Sequence, residues 1–518
     1  MKLCMRLLFL LLALTGHHLA ARANVSLPDV LSDGMVLQQN QKVPVWGKGE
    51  PGEPVTVRFS GQSKSTTATA DGEWLIKLDP MKANAAPATM TISGRNTIEL
   101  RNILVGEVWL VAGQSNMQRL LSETANGEAA IAAAEHPLIR LFNVSRQVAF
   151  KHAPPPLGRW QACSPQTVKD FSAAGYYFGV ELEKELGVPI GLINASYGGS
   201  QAEAWTPVEY LVTSPELKPT VERTKIWDEE RPRVRAEYDE AIKKWRAEAD
   251  KATAAGARPS PSPAVPDALR EYRIAASIYD GMIAPLMPFY IRGAIWYQGE
   301  SNEARAQQYG LLLPTMIKGW RERWAEGDFP FGVVQLPNYR DPKPEPADEP
   351  WSHLREAQRR TVATTDNTGL IVTIDIGEAH DIHPKNKLDV GKRMARWALA
   401  DVYGRRMTKS GPMFRDATNK GSKIVITFDE VGRGLRIRDG NDLSEFAIAG
   451  EDRKWYWANA KIVYKDTIEV WSTSVKNPIA VRYAFNNNPP HANLTNETGL
   501  PASPFRTDNW PGPTDGKR

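Results

Sequence analysis

Ser115 is the side chain of this sequence best suited to act as a nucleophile. It follows an apolar run, residues 108–112, that ends in Gly113. A serine hydroxyl attacks poorly unless a base removes its proton and fixed donors receive the charge that forms on the substrate. A helix cap is the alternative for this segment, because Ser115 and Asn116 precede a stretch that can open a helix. A nucleophilic Ser115 therefore requires a base and donors from elsewhere in the chain.

A histidine-containing segment, residues 375–384, supplies the candidate base. It contains His380 and His383, and histidine is the usual base for a serine. Asp381 lies two residues before His383, and a nearby carboxylate holds an imidazole in the correct tautomer. A metal site that includes Glu378 is the alternative, but the segment lacks the His-Glu-x-x-His pattern and no Cys/His cluster elsewhere completes a site. We therefore predict a catalytic base and no metal.

Two further clusters contain possible donors for a developing oxyanion. Gly198 and Gly199 are adjacent, so their backbone can approach a ligand closely and direct an N–H at it. Gln298 can donate an amide hydrogen in the same way. Beside it, Trp296 can pack either in the core or against the face of a sugar ring. Glu300 can either orient a neighbouring side chain or bind water at the surface. The chain thus contains every group that acyl transfer to a serine needs.

Each of these clusters directly follows an apolar run that is typical of a buried strand. Five such runs alternate with amphipathic helices, which predicts an α/β domain with a parallel sheet covered on both faces. The predicted strands are 108–112, 190–194, 294–297, 332–336 and 370–374. The predicted helices include 173–186 and 387–403, stopped by Gly187 and Gly404. In open α/β sheets the active site lies at the carboxyl ends of the strands, so clusters far apart in sequence can converge there.

The α/β pattern occupies the middle of a three-part chain. Residues 24–103 show short alternating strands between Gly, Pro, Asp and Asn, and short strands return over 405–518. We therefore predict a β domain before the catalytic domain, 104–404, and a β region after it. Residues 215–270 combine a charged helical stretch with a Pro/Ser-rich tether and are interpreted as an insertion into the catalytic domain.

Composition and charge indicate an exported globular protein. The chain has 518 residues, is 42% hydrophobic and carries a formal charge of +4 without clustered Lys and Arg, so nucleic acid is not an expected partner. Residues 1–23 combine a basic start, a short apolar core and a small-residue cleavage site, which predicts a signal peptide and a periplasmic or extracellular protein. No membrane span is expected after cleavage, because the apolar run is shorter than the roughly 20 residues that a span needs. Cys163 is then the single remaining cysteine, which excludes an intramolecular disulfide.

The four clusters together resemble a known enzyme family. Their motifs are similar, in type and order, to those of sialate O-acetylesterases and related carbohydrate acetylesterases of the SGNH-hydrolase superfamily: Gly113-Gln-Ser-Asn-Met117, Gly198-Gly199, Gln298-Gly-Glu-Ser301 and Asp381-Ile-His-Pro384. Segments near both ends, 27–35 and 499–505, also resemble this family. The resemblance covers nearly the whole chain after residue 23, and 215–270 matches least well.

The resemblance implies a flavodoxin-like three-layer α/β core with accessory β regions on both sides. It also implies hydrolysis of acetyl esters on sugars without a metal or an organic cofactor. Ser115 matches the nucleophile and His383 the base. The implied oxyanion hole consists of the N–H groups of Ser115 and of Gly198 or Gly199, together with the side chain of Gln298.

Two site positions depart from the superfamily pattern. Gln298 stands where many members use asparagine, and His380 replaces the usual Asp three residues before the histidine. Asp381 is therefore our first choice for the third triad member, with Glu378 or a backbone carbonyl second. We also expect four neighbouring residues to bind the substrate: Gln114, Asn116, Trp296 and Glu300.

Two other functions fit parts of the same pattern. An acetylxylan or other plant-polysaccharide acetylesterase would use the same catalytic residues, because these contact the acetyl group and not the sugar. A preference for sialic acid requires a cation for its carboxylate, for which Arg119 and Arg340 are candidates. A non-catalytic carbohydrate-binding protein would use the 16 tryptophans to stack on sugars, but it would not need a nucleophile, a base and donors together. We therefore predict a secreted serine esterase that acts on acetylated carbohydrates, most closely similar to sialate O-acetylesterases.

Overall fold

The computed structural model describes residues 24–149 and 158–518 of the chain. The predicted signal peptide, residues 1–23, lies outside the described residues. Within the described ranges, no helix combines the length and the apolar character that crossing a membrane demands.

The first part of the chain is a β domain whose strands bury alternate side chains. In the strand Glu73–Leu78, Trp74, Ile76 and Leu78 are buried while the residues between them are exposed, as expected for a strand with one face on a core. Its strands are β1 (Val36–Gln38), β2 (Val43–Lys48), β3 (Pro54–Phe59), β4 (Gln62–Thr67), β5 (Glu73–Leu78) and β6 (Asn84–Ser93).

One long strand, β7 (Thr97–Gly113), connects the β domain to the central sheet. Its first half pairs with β1 and β6, while its second half lies in the centre of the parallel sheet. The residues change from a mostly exposed pattern to continuous burial at Ile103, because from there both faces of the strand are covered. The predicted boundary between residues 103 and 104 thus falls inside a strand that both regions share.

The central sheet has the flavodoxin-like order predicted from the resemblance. After β7, the chain forms β8 (His136–Asn143), β9 (Trp160–Cys163), β10 (Ile190–Ser196), β11 (Gly293–Tyr297), β12 (Phe331–Val334) and β13 (Thr368–Ile371). Five parallel strands lie in the order β10-β7-β11-β12-β13, which is the 2-1-3-4-5 order of this class. A sixth parallel strand, β8, pairs with β10 and extends the sheet, and antiparallel β9 forms its edge. The topological switch point lies at β7, so the carboxyl ends of β10 and β11 flank the residue that follows it.

Helices cover both faces of the sheet and form the outer two layers. They are α1 (Ser115–Gln118), α2 (Gly127–Ala132), α3 (Pro165–Val168), α4 (Ala173–Leu186), α5 (Val208–Val212), α6 (Lys218–Ala254), α7 (Ala306–Trp324), α8 (Pro350–Thr364) and α9 (Leu388–Trp397). Alternation along β7 divides the core: Trp109 and Val111 pack in the cluster that contains α4 and α9, while Leu110 packs in the cluster that contains α7 and α8. The predicted helix at 173–186 is confirmed, and the one at 387–403 is α9 continued by a π-helical turn to Val402.

The region interpreted as an insertion contains the longest described helix. Helix α6 has 37 residues, with Thr220 its one buried residue, and it is longer at both ends than the charged stretch, 228–251, that predicted it. The Pro-rich residues 257–266 that follow have no regular secondary structure. This part of the chain contributes mainly surface, and Leu217 at its start packs into the main hydrophobic core.

The C-terminal region is an accessory β region with its own hydrophobic core. Its strands are β14 (Met413–Asn419), β15 (Lys423–Asp429), β16 (Leu435–Ile437), β17 (Phe446–Ala449), β18 (Trp455–Trp457), β19 (Asn459–Tyr464), β20 (Thr467–Trp471), β21 (Ala480–Tyr483), β22 (Leu494–Asn496) and β23 (Phe505–Arg506). It contacts the catalytic domain through fully buried Arg355 of α8, which donates to the carbonyls of Asn486 and Asn487. It also supports the loop that carries His383, because Asn338 bonds both Asn488 and the N–H of Gly377.

Candidate active site

Ser115 lies at the switch point, two residues beyond the end of β7. Gly113 makes this possible: its φ is +139°, and a Cβ there would lie 2.2 Å from the carbonyl oxygen of Tyr297. Only glycine allows β7 to approach the end of β11 so closely before the chain turns into α1. Ser115 is the first residue of α1, where backbone N–H groups have no partner within the helix.

The structure brings His383 to Ser115 across 268 residues of sequence. The imidazole Nε2 lies 2.8 Å from Ser115 Oγ, which is hydrogen-bond distance for transfer of the hydroxyl proton to the ring. His383 follows β13 on an irregular loop, and its side chain is 32% exposed. The pair is therefore assembled inside the protein and remains accessible to a substrate.

The surroundings of His383 favour its neutral form. Its pKa is lowered from the ordinary value, chiefly because the half-buried ring loses solvation, and further by the positive charge of Arg119. The negative charge of Asp381 opposes this and raises the pKa, while Lys387 lowers it and Glu123 raises it by smaller amounts. A histidine with a lowered pKa is unprotonated at neutral pH, the state that a general base requires.

Two substitutions are expected to move the pKa of His383 in opposite directions. Arg119→Gln removes a neighbouring positive charge and raises the pKa, whereas Asp381→Asn removes a negative charge and lowers it. NMR titration of the His383 ring measures both shifts. Arg101→Gln, at a highly exposed arginine, is the control and leaves the titration unchanged. Shifts of the same sign in the two variants would contradict this electrostatic description.

The two candidate carboxylates for orienting His383, Asp381 and Glu378, contact the backbone of the loop and not the ring. Asp381 Oδ1 accepts the N–H of His383 at 2.8 Å and lies 3.9 Å from the ring Nδ1, beyond hydrogen-bond distance. Glu378 accepts the N–H of Lys385 at 2.7 Å. His380 is highly exposed and faces Asp341 across 3.7 Å. Asp381 thus acts on His383 through its charge and through the shape of the loop.

The alternative of a metal site finds no ligand set in the described chain. His380 and His383 are directed to different partners, Asp341 and Ser115. Across residues 24–149 and 158–518, no three His, Cys, Asp or Glu side chains are grouped as a metal site would need.

The glycine pair after β10 lies against the nucleophile, as its position at the strand end predicts. A Cβ on Gly198 would lie 3.5 Å from the Cβ of Ser115, and Gly199 has a φ of +75°. The N–H of Gly198 donates to Gln118 Oε1 at 2.7 Å. An N–H beside Ser115 therefore points at an acceptor oxygen, which is the geometry that a substrate carbonyl would need.

Gln298 does not direct its amide hydrogens at Ser115 in this conformation. Its Nε2 donates to Asn302 Oδ1 at 2.7 Å and to the carbonyl of Ser200 at 3.3 Å, so both hydrogens are engaged. Asn302 is held in this orientation because its Oδ1 also accepts the N–H of Ala202. In this conformation Gln298 supports the loop after β10 from behind, and its role as an oxyanion donor stays a prediction.

The four residues expected to bind substrate are buried instead. Trp296 is fully buried, packs edge-on against Trp205 and Trp320, and donates to Tyr309, so it takes the core position that was the alternative to a sugar contact. Asn116 is also fully buried, and both ends of its amide are engaged by protein groups, so it lies behind the surface that a substrate would contact. Glu300 and Gln114 are buried too, and both connect the loop after β11 to α1. Glu300 accepts a hydrogen bond from Asn116 of α1, and Gln114, just before α1, accepts the N–H of Ser301.

The structure adds residues that sequence reasoning missed. Lys387 is a buried lysine whose Nζ donates to Asn116 Oδ1, close to the catalytic pair. Nothing in its type or spacing separates it from exposed Lys385 two positions earlier. Tyr272, which follows the insertion, stacks on Tyr197 with ring centroids 5.0 Å apart, beside Gly199. An aromatic residue in such a loop has no sequence signal that marks it as part of a site.

This arrangement can perform nucleophilic acyl transfer. A serine, a neutral histidine at hydrogen-bond distance and a backbone N–H directed beside them are the components that an ester-cleaving serine enzyme needs. They come from the ends of β7, β10 and β13, which chain order separates and sheet topology brings together.

Comparisons with known proteins agree with this chemistry. The family model described as "Carbohydrate esterase, sialic acid-specific acetylesterase" matches residues 105–256 and 267–400, more than half of the chain. The sialate O-acetylesterase of Mus musculus is 27% identical over 91% of this chain and 92% of its own length, and that of Homo sapiens is 26% identical over 93% of each. The crystal structure of a carbohydrate acetylesterase from Xanthomonas citri is 35% identical, with a TM-score of 0.79 over 94% of this chain and 100% of that chain. The protein therefore belongs to the carbohydrate esterase family of sialic acid-specific acetylesterases and is a carboxylic ester hydrolase.

Proposed function

We propose that this enzyme removes O-acetyl groups from sialic acids, with Ser115 as nucleophile and His383 as base. The observation that carries the proposal is the 2.8 Å contact between Ser115 Oγ and His383 Nε2 at the carboxyl edge of the sheet. The family match covers this core, and the curated relatives are named for the same reaction. Residues 1–23 support export of the enzyme through a signal peptide, on their composition.

The proposed reaction proceeds through an acetyl-enzyme. His383 takes the proton of Ser115 as Oγ attacks the acetyl carbonyl, and the tetrahedral intermediate collapses when His383 returns that proton to the sugar oxygen. Water then attacks the acetyl-enzyme with His383 as base again, which releases acetate and restores Ser115. Asp381 stabilises the protonated imidazole through its charge, at 3.9 Å from Nδ1.

The backbone supplies the proposed oxyanion hole. Its donors are the N–H of Ser115 at the start of α1 and the N–H of Gly198, which lies beside Ser115 in the loop after β10, with the N–H of Gly199 as the alternative to Gly198. Gly198 donates to Gln118 in the structure, so the substrate oxygen replaces Gln118 Oε1 when it binds. Gln298 contributes by holding Ser200 and Asn302 behind this loop.

Arg119 is the proposed receiver of the sialic acid carboxylate. Its side chain is 28% exposed, its Nε makes no hydrogen bond among the described residues, and its charge acts on His383. The carboxylate of Glu123 lies 3.5 Å from that Nε. Arg340, the other candidate, is already held by both oxygens of Glu303 and lies over the rings of Tyr339 and Trp351. A charged substrate group would therefore be bound next to the catalytic pair and not at Arg340.

Comparing acetylated substrates tests the proposed specificity. We expect O-acetylated sialic acid to be hydrolysed with a higher kcat/KM than acetylated xylo-oligosaccharides. Arg119→Gln is expected to raise KM for acetylated sialic acid about tenfold, the effect of losing one charge-assisted hydrogen bond. The rise should be smaller for 4-nitrophenyl acetate, which has no carboxylate. A preference of the wild type for xylo-oligosaccharides would instead support a polysaccharide acetylesterase.

A further inference from the structure

A buried polar network lies directly behind the catalytic pair. Its members are Glu300, Asn116 and Lys387, which come from the loop after β11, from α1 and from the residue before α9. Asn116 is fully buried, and Lys387 and Glu300 are 1% and 8% exposed. Acyl transfer itself requires none of these side chains, so their burial calls for another explanation.

The amide of Asn116 lies between opposite charges. Its Nδ2 donates to Glu300 Oε1 at 2.6 Å, and its Oδ1 accepts from Lys387 Nζ at 2.7 Å. The reverse amide orientation would place Nδ2 at the ammonium and Oδ1 at the carboxylate, which is repulsive on both sides. The two charges therefore hold Asn116 in one orientation, and each offsets part of the desolvation of the other.

The same network also forms hydrogen bonds to the chain on both sides of His383. Asn116 Nδ2 also donates to the carbonyl of Ile382 at 2.9 Å, and Lys387 Nζ also donates to the carbonyl of Pro384 at 2.7 Å. Asn116 is the residue next to Ser115. The neighbour of the nucleophile is thus bonded, directly and through Lys387, to both neighbours of the base.

We infer that Lys387 is a positioning residue for the esterase reaction: it ties the His383 loop to the helix of Ser115 and so sets the distance between base and nucleophile. This inference rests on the proposed function of Ser115 and His383. Burial raises the pKa of Glu300 and lowers the pKa of Lys387 to about 7, and the charge of each group opposes the shift that burial causes in the other.

Lys387→Met tests the inference, because it removes the ammonium and keeps an apolar stem of similar length. We expect kcat for 4-nitrophenyl acetate to fall about 100-fold with KM changed less than about threefold, since a displacement of about 1 Å in a reacting group has an effect of this size. Lys392→Met, at an exposed lysine of α9, is the matched control and should leave kcat unchanged.

A double variant separates positioning from charge balance. Lys387→Met alone leaves Glu300 as an unpaired buried charge and lowers Tm, whereas Lys387→Met with Glu300→Gln removes both charges and should recover Tm. The contact with the Pro384 carbonyl stays absent, so kcat should remain low. Recovery of kcat to within about threefold of wild type in the double variant would overturn the inference. If the single variant does not fold, the double variant still provides this kcat comparison.

Labelling with a fluorophosphonate distinguishes this inference from the proposed function. The probe forms a bond to an activated serine, and mass spectrometry identifies the labelled residue. Absence of label on Ser115 in the wild type would count against the proposed function. Labelling of wild type and of Lys387→Met at equal rates would overturn the positioning role alone, because the pair would then be equally well aligned in both.

Discussion

Ser115→Ala is expected to lower kcat about a million-fold, the loss that follows removal of the nucleophile from a serine hydrolase. Ser115 Oγ is the atom that His383 Nε2 contacts at 2.8 Å, and alanine leaves nothing to form an acetyl-enzyme. Turnover of acetylated sialic acid and of 4-nitrophenyl acetate measures the effect. Any residual activity should come from substrate binding and from the backbone donors, which remain.

Ser122→Ala is the matched control for this change. Ser122 is an exposed serine in the short helical turn that follows α1, and it has no contact with His383. We expect it to keep wild-type turnover. If Ser115→Ala retained activity within tenfold of wild type, Ser115 would not be the nucleophile.

His383→Ala is expected to lower kcat by a similar factor, about a million-fold, because an unactivated serine hydroxyl is a weak nucleophile. The double variant with Ser115→Ala should be no less active than either single variant. The two residues act as one unit, so removing the second after the first removes nothing more. Steady-state kinetics of the three variants on one aryl acetate gives this comparison.

His380→Ala provides the control for His383. This histidine lies three residues earlier on the same loop, is highly exposed and faces Asp341. We expect it to have little effect. A large loss in His380→Ala together with a small loss in His383→Ala would show that the wrong histidine has been assigned as the base.

The fold of the catalytic domain was predictable because a strand that is buried on both faces is a continuous apolar run in the sequence. All five predicted strands are present, and four precede the site clusters. Their ends are shifted by at most three residues, except that β7 begins at Thr97, 11 residues before its predicted start. The C-terminal stop of α4 was also readable, since Gly187 takes the left-handed conformation that ends a helix. The boundary between the β domain and the catalytic core was harder to predict from the sequence, because β7 belongs to both.

The direction of each side chain near the site was not predictable. Trp296 and Tyr297 both end β11, and alternation sends them into different core clusters on opposite faces of the sheet. Which of the two approaches a ligand depends on what covers each face, and that is set by helices distant in sequence. The same reason explains why Asn116, one residue from Ser115, points into the interior.

By itself the sequence determined the strands, their order along the chain and the residue types at their ends, because local burial patterns and motif spacing are properties of short segments. The tertiary structure decided what depends on through-space distance. It placed His383 Nε2 at 2.8 Å from Ser115, left Asp381 at 3.9 Å from the ring and engaged both amide hydrogens of Gln298. It also buried Lys387 behind the pair. Hydrogen bonds change from formed to absent within less than 1 Å, and no spacing in the sequence carries that precision.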